Sequence, residues 1–460
     1  FTPLEYDPPQ AGHHRHVLRN GVVGFFVEDH DLPLVNVSLV LQVGSHLDPP
    51  DQLGLTRAVV SLLRSGGTAR WTAEEFDEEA DFLAASISTS AGLNSSDVTL
   101  NVLTKDLGQG LDLLFEMLRN PAFQQDRLDL YKSRVLQNLE RRNDRTNSIE
   151  RREWARLIRG NHASSTQVTR ATIKSLGVPD LVAAHRRYFH PANFIFAVSG
   201  DFKTARMKLE LEQRMGGWEV GPVAPRITPP DHQPVPGIYM VDKPDVNQGR
   251  VSLGHLGIKQ GNPDEFAIDL MNDILGGSGF TSRIMNRVRS DEGLAYSAGS
   301  SFPAGAYYEG TFRAGFQSKS STCAQATQII LDEIERIRSK HVSPGELETV
   351  RNYAVEVFPR FFASARVVAE TFATDELIGR SPAYWLTYRD RLKSVTVEDV
   401  LRVAQKYIHP DRFVILAVGN VEEMLKGDPD SPKYSFEKLS PDRKIRRIPL
   451  PDPATMVYPE

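Results

Sequence analysis

Two side chains in the segment 276–300 have types and a spacing that could bind a polar ligand. Arg289 lies near the end of a predicted short helix, and Tyr296 opens the alternating run that follows a helix break at Gly293. An arginine at a helix end and a tyrosine at the start of the next strand can converge across one turn, which would make a polar clamp. The alternative is that both side chains are simply solvated, as most arginine and tyrosine side chains outside a core are.

A glycine-rich run precedes this pair and determines how a ligand could approach it. Gly276, Gly277, Ser278 and Gly279 form a predicted mobile loop, because glycine suits a segment that must move or let the backbone of a ligand come close. A short predicted helix with three arginines follows the loop. The chemistry of the segment therefore depends on the elements that hold loop, helix and strand in place.

The composition is that of a globular protein with substantial cores. Its 460 residues predict two to four domains, and 40% of them are hydrophobic and 25% charged. A net charge of −5 argues against a nucleic-acid partner, which usually needs a basic patch. No apolar run reaches the roughly 18 residues of a transmembrane helix. The single cysteine, Cys323, excludes an intrachain disulfide and a cysteine-rich zinc site, and we expect it to be a buried thiol.

The two halves of the chain end in similar sequences, which indicates a tandem duplication. Residues 175–201 read SLGVPDLVAAHRRYFHPANFIFAVSGD, and residues 394–420 read SVTVEDVLRVAQKYIHPDRFVILAVGN. His190 and His409 within them are 409 − 190 = 219 positions apart. With only two copies, the repeat is not a solenoid, which needs at least three.

The start of each half matches more weakly. Residues 37–39 and 251–253 both read VSL, at an offset of 251 − 37 = 214. Between the copies lies EVGPVAPRITPPDHQPVP, whose six prolines suit a stiff, extended linker. The repeat therefore predicts an N-terminal domain over residues 1–218, a Pro-rich linker over 219–241 and a C-terminal domain over 242–460.

Each half combines alternating strands with several amphipathic helices. In the first half, residues 21–43 are strand-like, Gln52–Ser65 is predicted to be a helix, and Ser96–Thr104 alternates as a half-buried strand. Strands in hairpin register with separate helices predict an antiparallel sheet covered by helices on one face. The expected fold class is α+β, with two homologous domains.

Several stretches resemble the pitrilysin/insulinase family of zinc metallopeptidases. Gly54-Leu55, an amphipathic helix and then Gly66-Gly67-Thr68 resemble the helix that carries the inverted zinc motif of that family. The segment SRIMNRVRSDEGLAYS and the two similar domain endings match as well. Two-domain chains of this length look like the subunits of mitochondrial processing peptidase and its bacterial relatives. The resemblance covers about residues 18–420.

In that family the helix carries His-x-x-Glu-His, whose histidines hold zinc while the glutamate activates the bound water. The corresponding positions here hold Arg57, Val60 and Ser61, and the downstream ligand position holds Asn138. A catalytic zinc needs three ligands from Cys, His or carboxylate. The resemblance therefore implies degenerate zinc-site positions, no metal or other cofactor in this chain, and zinc on a partner subunit. The helical spacing places Arg57, Val60 and Ser61 on the face opposite the apolar one.

The other part of the family's active site comes from the C-terminal domain, where an R-x6-Y arrangement holds the substrate backbone and the developing oxyanion. Arg289 and Tyr296 have that spacing, so the resemblance implies that they are the catalytic pair. The glycine-rich run 276–279 would then bind substrate. The alternatives are an arginine that caps its helix, a tyrosine half in the core, and a glycine run that only starts a helix.

Together these features predict a non-zinc subunit of a heteromeric metallopeptidase. It would supply Arg289 and Tyr296 to a homologous zinc-bearing partner for the hydrolysis of unfolded peptides, and it would be inactive alone. A non-catalytic assembly subunit related to the core proteins of respiratory complexes is the main alternative, and an autonomous peptidase with an unorthodox metal site is a third. The bacterial periplasm is favoured if a signal peptide preceded Phe1, and a trimmed chain is the other possibility.

Overall fold

The computed structural model describes residues 6–439 and 445–459, which fall into two compact units. Among these residues, unit 1 contains 6–138, 167–227 and 357–387, and unit 2 contains 139–166, 228–356, 388–439 and 445–459. Neither unit is continuous in sequence, because each takes a segment from the other half of the chain. The domain bounds predicted from the repeat, 1–218 and 242–460, refer to the two halves of the sequence, and they stay a prediction.

The described residues form twelve strands and eighteen α-helices. The strands are β1 Arg15–Val17, β2 Val23–Glu28, β3 Leu34–Leu41, β4 Ser86–Ala91, β5 Ser96–Leu103, β6 Phe194–Gly200, β7 Gly237–Asp242, β8 Gln248–Leu256, β9 Ala295–Ser301, β10 Thr311–Lys319, β11 Val414–Gly419 and β12 Ile445–Arg447. The helices are α1 Ala11–His14, α2 Leu55–Ser65, α3 Ala73–Phe82, α4 Leu107–Arg119, α5 Gln125–Glu140, α6 Thr146–Arg159, α7 Arg170–Ser175, α8 Val178–Tyr188, α9 Thr204–Met215, α10 Glu265–Asn272, α11 Arg283–Met285, α12 Cys323–Ser339, α13 Pro344–Val357, α14 Ala365–Ile378, α15 Tyr384–Ser394, α16 Val397–Tyr407, α17 Val421–Lys426 and α18 Phe436–Leu439.

Each unit contains one six-stranded sheet, and the two sheets have the same internal order. The order is β1-β2-β6-β3-β5-β4 in unit 1 and β12-β7-β11-β8-β10-β9 in unit 2, so five strands correspond one to one. The VSL matches lie on the equivalent strands β3 and β8. The predicted α+β fold of two similar domains is confirmed. Both sheets are mixed rather than purely antiparallel, because β2 pairs parallel with β6 and β7 pairs parallel with β11.

Helix α6 comes from the first half of the sequence but packs on β8 and β11 of unit 2. Its apolar residues Ile149, Trp154 and Ile158 are buried in the core of that unit, and full burial of such side chains contributes about 1.5–3 kcal/mol each. Helix α14 comes from the second half and packs on β2, β3 and β6 of unit 1. The two helices are therefore exchanged between the sequence halves.

A glutamate on each exchanged helix meets a serine at equivalent positions of the two sheets. Ser38 Oγ of β3 donates to Glu370 Oε1 of α14 at 2.7 Å, and Ser252 Oγ of β8 donates to Glu150 Oε1 of α6. Glu150 is also paired with Arg250 and Arg313 of unit 2, at 2.5 and 2.9 Å. A buried carboxylate needs such partners. The exchange is thus specified by polar contacts as well as by apolar packing.

The remaining predictions about composition have clear outcomes. Cys323 is buried, as predicted, and burial raises the pKa of its thiol to about 12. Across residues 6–439 and 445–459, no helix has the length and apolar character needed to cross a lipid bilayer.

Candidate functional site

Helix α2 carries the positions that would hold zinc, and its start is fixed by an aspartate. The Asp48 carboxylate accepts hydrogen bonds from the backbone N–H groups of Gly54 and Thr56, both at 2.8 Å. These are donors that a helix start leaves without intrahelical partners. Gly54 is left-handed, with φ of 100°. The helix is therefore well anchored although its expected metal ligands are missing.

The side chains at the degenerate zinc positions do not share one environment. Arg57 is exposed and Ser61 is half-buried, but Val60 is buried, with 1% of its surface exposed. The prediction that Val60 lies on the exposed face with Arg57 is wrong, because the buried face of α2 is wide enough to include it. The alkyl side chain at the predicted position of the general base cannot take up a proton.

Helix α5 carries Asn138, which is exposed near the end of the helix. Tyr131 lies on the same helix, N-terminal to Asn138, and interacts electrostatically with the charges of Arg57 and Asp48. Burial raises the pKa of Tyr131 to about 12; the positive charge of Arg57 opposes that rise and the charge of Asp48 adds to it. The phenol is therefore held neutral beside the arginine.

The residues at these positions do not fit a zinc ion. At the predicted ligand positions stand a guanidinium, a hydroxyl and an amide, where imidazole and carboxylate ligands would be needed. In the part of the chain that the structure describes, no group of three or more His, Cys, Asp or Glu side chains could hold a metal ion. No metal chemistry can be assigned to this helix pair.

The glycine-rich run is a hydrogen-bonded helix junction. Helix α10 continues into a π-helical turn over Asp273–Gly277, so Gly276 and Gly277 belong to that turn. Ser278 closes it, since its backbone N–H and its Oγ both donate to Asp273 O, at 3.2 and 2.8 Å. A single π-helical turn within a helix is frequent at functional sites. Gly276 and Gly277 thus lie at the end of a helix, whereas the sequence alternatives were a mobile loop and a run that only starts a helix.

Two carboxyl groups, Asp269 on α10 and Asp273 in the π-helical turn, lie at this junction. Burial raises the pKa of Asp273 to about 6. Burial also raises the pKa of Asp269 to about 7, and the charges of Glu265 and Asp273 add to that rise. Asp269 is therefore partly protonated at neutral pH, whereas Asp273, with the lower pKa, is mostly ionised there.

Gly276 permits a close backbone approach between the junction and β9. A Cβ atom on Gly276 would lie 2.5 Å from the backbone nitrogen of Ser300 and 2.5 Å from its Oγ. Neighbouring contacts hold the same two elements together, because Ser300 Oγ donates to Asn272 Oδ1 at 2.8 Å. The glycine is therefore needed for packing, whatever it contributes to a ligand.

We expect Gly276→Ala to lower the free energy of unfolding of unit 2 by about 2 kcal/mol, since backbone must shift to relieve the collision. Hydrogen exchange at the amides of α10 and β9 would measure it within unit 2. Gly345→Ala is the matched control, because Gly345 lies in α13 of the same unit and its Cβ would meet nothing within 4 Å. Equal exchange rates in the two variants would contradict the packing role.

Arg289 and Tyr296 are brought together as the spacing predicts. Arg289 lies in a second π-helical turn, Asn286–Asp291, and Tyr296 is the second residue of the edge strand β9. The guanidinium carbon is 4.7 Å from the centre of the tyrosine ring, and Tyr296 is 83% exposed. This exposure differs from that of a tyrosine half in the core, and among the described residues the Arg289 side chain donates no hydrogen bond that would cap its helix. Their catalytic role remains a prediction.

Phe280 is a member of this site that sequence reasoning missed. It lies in the 3-10 turn Gly279–Thr281, and its ring centre is 4.6 Å from the guanidinium carbon of Arg289. The ring is 66% exposed. An apolar aromatic residue directly after a glycine, in an otherwise polar segment, was the only signal available in the sequence.

The three arginines of the segment differ in their partners. Arg283 is buried and pairs with Glu346 at 2.6 Å, and Arg287 pairs with Asp291 at 3.0 Å. Partial burial alone would raise the pKa of Glu346, but hydrogen bonds from Arg283 and Ser343 outweigh it and lower that pKa to about 2. Among the described residues, Arg289 forms no ion pair, and its guanidinium lies over the rings of Phe280 and Tyr296. Its N–H groups are available for a ligand.

Two family models match the chain. The model described as insulinase (peptidase family M16) matches residues 26–169, and the model described as peptidase M16 inactive domain matches residues 175–353. The second range contains the whole junction with Arg289 and Tyr296. Together the two ranges cover well over half of the chain.

Relatives and a solved structure agree with these models. A protein of Helicobacter pylori named non-peptidase homolog YmxG is 23% identical over 347 residues, covering 74% of this chain and 78% of its own. A Bacillus subtilis protein named uncharacterized zinc protease YmxG is 23% identical over 285 residues, covering 62% of this chain and 68% of its own. The fold resembles a peptidase M16 inactive domain from Pseudomonas fluorescens, with a TM-score of 0.80 and 22% identity over 88% of this chain and 97% of that one. The chain therefore belongs to the insulinase (M16) peptidase family.

Proposed function

We propose that this chain is the non-zinc subunit of a heteromeric metallopeptidase and that it supplies Arg289 and Tyr296 to a zinc-bearing homologue. One observation carries the proposal. The predicted metal positions hold side chains that cannot bind zinc, while the half-buried Arg289 and the exposed Tyr296 remain assembled, and Arg289 has no carboxylate partner among the described residues. A protein kept only for its fold has no need of an unpaired guanidinium at its surface.

The chemistry of the pair suits the stabilisation of negative charge on oxygen. A tetrahedral intermediate of peptide hydrolysis gains that charge, and fixed donors aimed at it lower the barrier. Arg289 offers several N–H donors in one plane and stays charged at every relevant pH. Tyr296 offers a neutral hydroxyl donor. In this proposal the pair binds the substrate carbonyl, and the zinc and the attacking water belong to the partner.

The glycine-rich run would contact the substrate backbone next to this pair. Gly277 is exposed, and Ser278 and Gly279 are half-buried, so a peptide could approach all three. Gly276 is buried, and its contribution would be to hold the junction against β9. The proposed substrate is an unfolded peptide, because only an extended chain exposes its backbone to such a surface.

The proposal is tested by reconstitution with a homologue from the same source that carries His-x-x-Glu-His. We expect the purified chain to leave a quenched-fluorescent unfolded peptide intact and to contain no stoichiometric zinc. An equimolar mixture with the homologue should cleave the peptide. Cleavage by this chain alone, or stoichiometric zinc in it, would show an autonomous enzyme. Stable complex formation without any cleavage would favour the non-catalytic assembly subunit.

A further inference from the structure

Phe280, Arg289 and Tyr296 form one continuous surface feature in unit 2. The guanidinium carbon of Arg289 lies 4.6 Å from one ring centre and 4.7 Å from the other. Both rings are largely exposed, so the stack is presented to solvent rather than packed into the core. A guanidinium over an aromatic face is attracted to the negative charge of that face. The arginine therefore bridges two aromatic rings.

The exposure of Phe280 is imposed by a rigid turn. Gly279 before it has a left-handed backbone, with φ of 61°. Ser282 Oγ donates to Gly279 O at 2.7 Å, and the hydroxyls of Ser278 and Thr281 share a hydrogen bond of 2.9 Å. An exposed phenylalanine in a well-bonded turn lacks the usual hydrophobic reason for its presence. Its reason is the contact with Arg289.

The neighbouring arginines show what the stack achieves. Carboxylates fix Arg283 and Arg287 and also use their N–H groups, through Glu346 and Asp291. The rings of Phe280 and Tyr296 hold Arg289 in place, and among the described residues no carboxylate pairs with its guanidinium. An arginine held by aromatic rings keeps N–H donors that a carboxylate would otherwise use, and these donors can bind a carbonyl oxygen.

We propose that Phe280 is the positioning residue of the Arg289–Tyr296 pair and that its open face accepts an apolar side chain of the bound peptide. The inference rests on the proposed function. A peptide carbonyl at the guanidinium edge places the adjacent peptide side chain near the exposed ring, and apolar contact is favoured there. The preferred substrates are therefore extended peptides with an apolar residue beside the cleaved bond.

The positioning role is tested on the chain alone, without a partner. In the chain labelled with isotopic arginine, the side-chain N–H signal of Arg289, assigned by its loss in Arg289→Lys, should show a ring-current shift. Phe280→Leu should remove part of this shift, and Phe280→Tyr should keep it. Phe82→Leu is the matched control, since Phe82 is an exposed phenylalanine on α3 of unit 1. An unchanged Arg289 signal in Phe280→Leu would overturn the proposal.

The specificity role is tested with the reconstituted peptidase and two peptides that differ only in a leucine or a serine beside the cleaved bond. Phe280→Leu should lower kcat/KM for the leucine peptide about fivefold. The loss should be mainly through KM, and Phe280→Tyr should restore the rate. Equal losses for both peptides would overturn the specificity role. If no partner yields cleavage, the proposed function fails, and the arginine signal of the free chain still decides the positioning role.

Discussion

Replacing Arg289 by alanine is expected to lower the turnover of the reconstituted peptidase about 100-fold, which corresponds to about 2.7 kcal/mol of lost transition-state stabilisation. The side chain is only half-buried and has no carboxylate partner among the described residues, so its removal should leave the fold intact. Steady-state kinetics on an unfolded peptide would measure the loss. The thermal midpoint of the variant should match that of the parent chain.

The same helical turn provides the control for this experiment. Arg287 is two residues away, but its guanidinium is paired with Asp291 at 3.0 Å. We expect Arg287→Ala to change turnover less than twofold, within the range of a neutralised surface charge. Tyr296→Phe keeps the ring that contacts Arg289 and removes only the hydroxyl donor, so it should give an intermediate loss. Full activity of Arg289→Ala would leave the assembly-subunit alternative in place.

Replacing Glu150 by glutamine is expected to lower the free energy of unfolding of unit 2 by about 3 kcal/mol. Glu150 is 2% exposed, and its two oxygens take hydrogen bonds from Arg250, Arg313 and Ser252. A glutamine cannot accept at both ends, because its amide nitrogen would face a donor instead. The two arginines are only partly buried, which keeps the loss below that of a fully buried unpaired charge.

Hydrogen exchange at the amides of α6 and β8 would measure this loss within unit 2, where a global melting curve would mix two units. Glu422→Gln makes the same chemical change in an exposed i,i+4 pair with Lys426 and should leave exchange rates unchanged. If Glu150→Gln exchanged like Glu422→Gln, the polar network would not be what holds α6 on its sheet.

The repeat could be predicted from the sequence because it leaves matched residues at a nearly constant offset. Those matches lie on equivalent strands, and the shared strand order follows from them. The sequence could not show which sheet a helix covers. Helices α6 and α14 are both amphipathic and would fit either sheet, so the choice depends on pairs such as Glu150 with Arg313 that are 163 residues apart.

The part of the candidate site that depends on the spacing of residues along the chain could be predicted from the sequence. Seven positions separate Arg289 from Tyr296, and a helix that ends between them brings the two side chains to one surface. The π-helical turns were not predictable, because they change the register by one residue without a special sequence. Val60 was misplaced for a related reason, since the width of a buried helix face depends on what packs against it.

The exchange of α6 and α14 also has a consequence for the order of synthesis. The ribosome completes residues 1–227 before most of unit 2 exists, yet β2 and β6 still lack their covering helix until residues 365–378 have emerged. Helix α6 is synthesised early, but it can pack only after β8 and β11 of its sheet have been synthesised. In most multidomain chains the N-terminal domain folds first, while the rest is still being translated. Here unit 1 cannot complete its fold in that way, because it needs a helix from the second half of the chain. Both units are completed late, and nearly together.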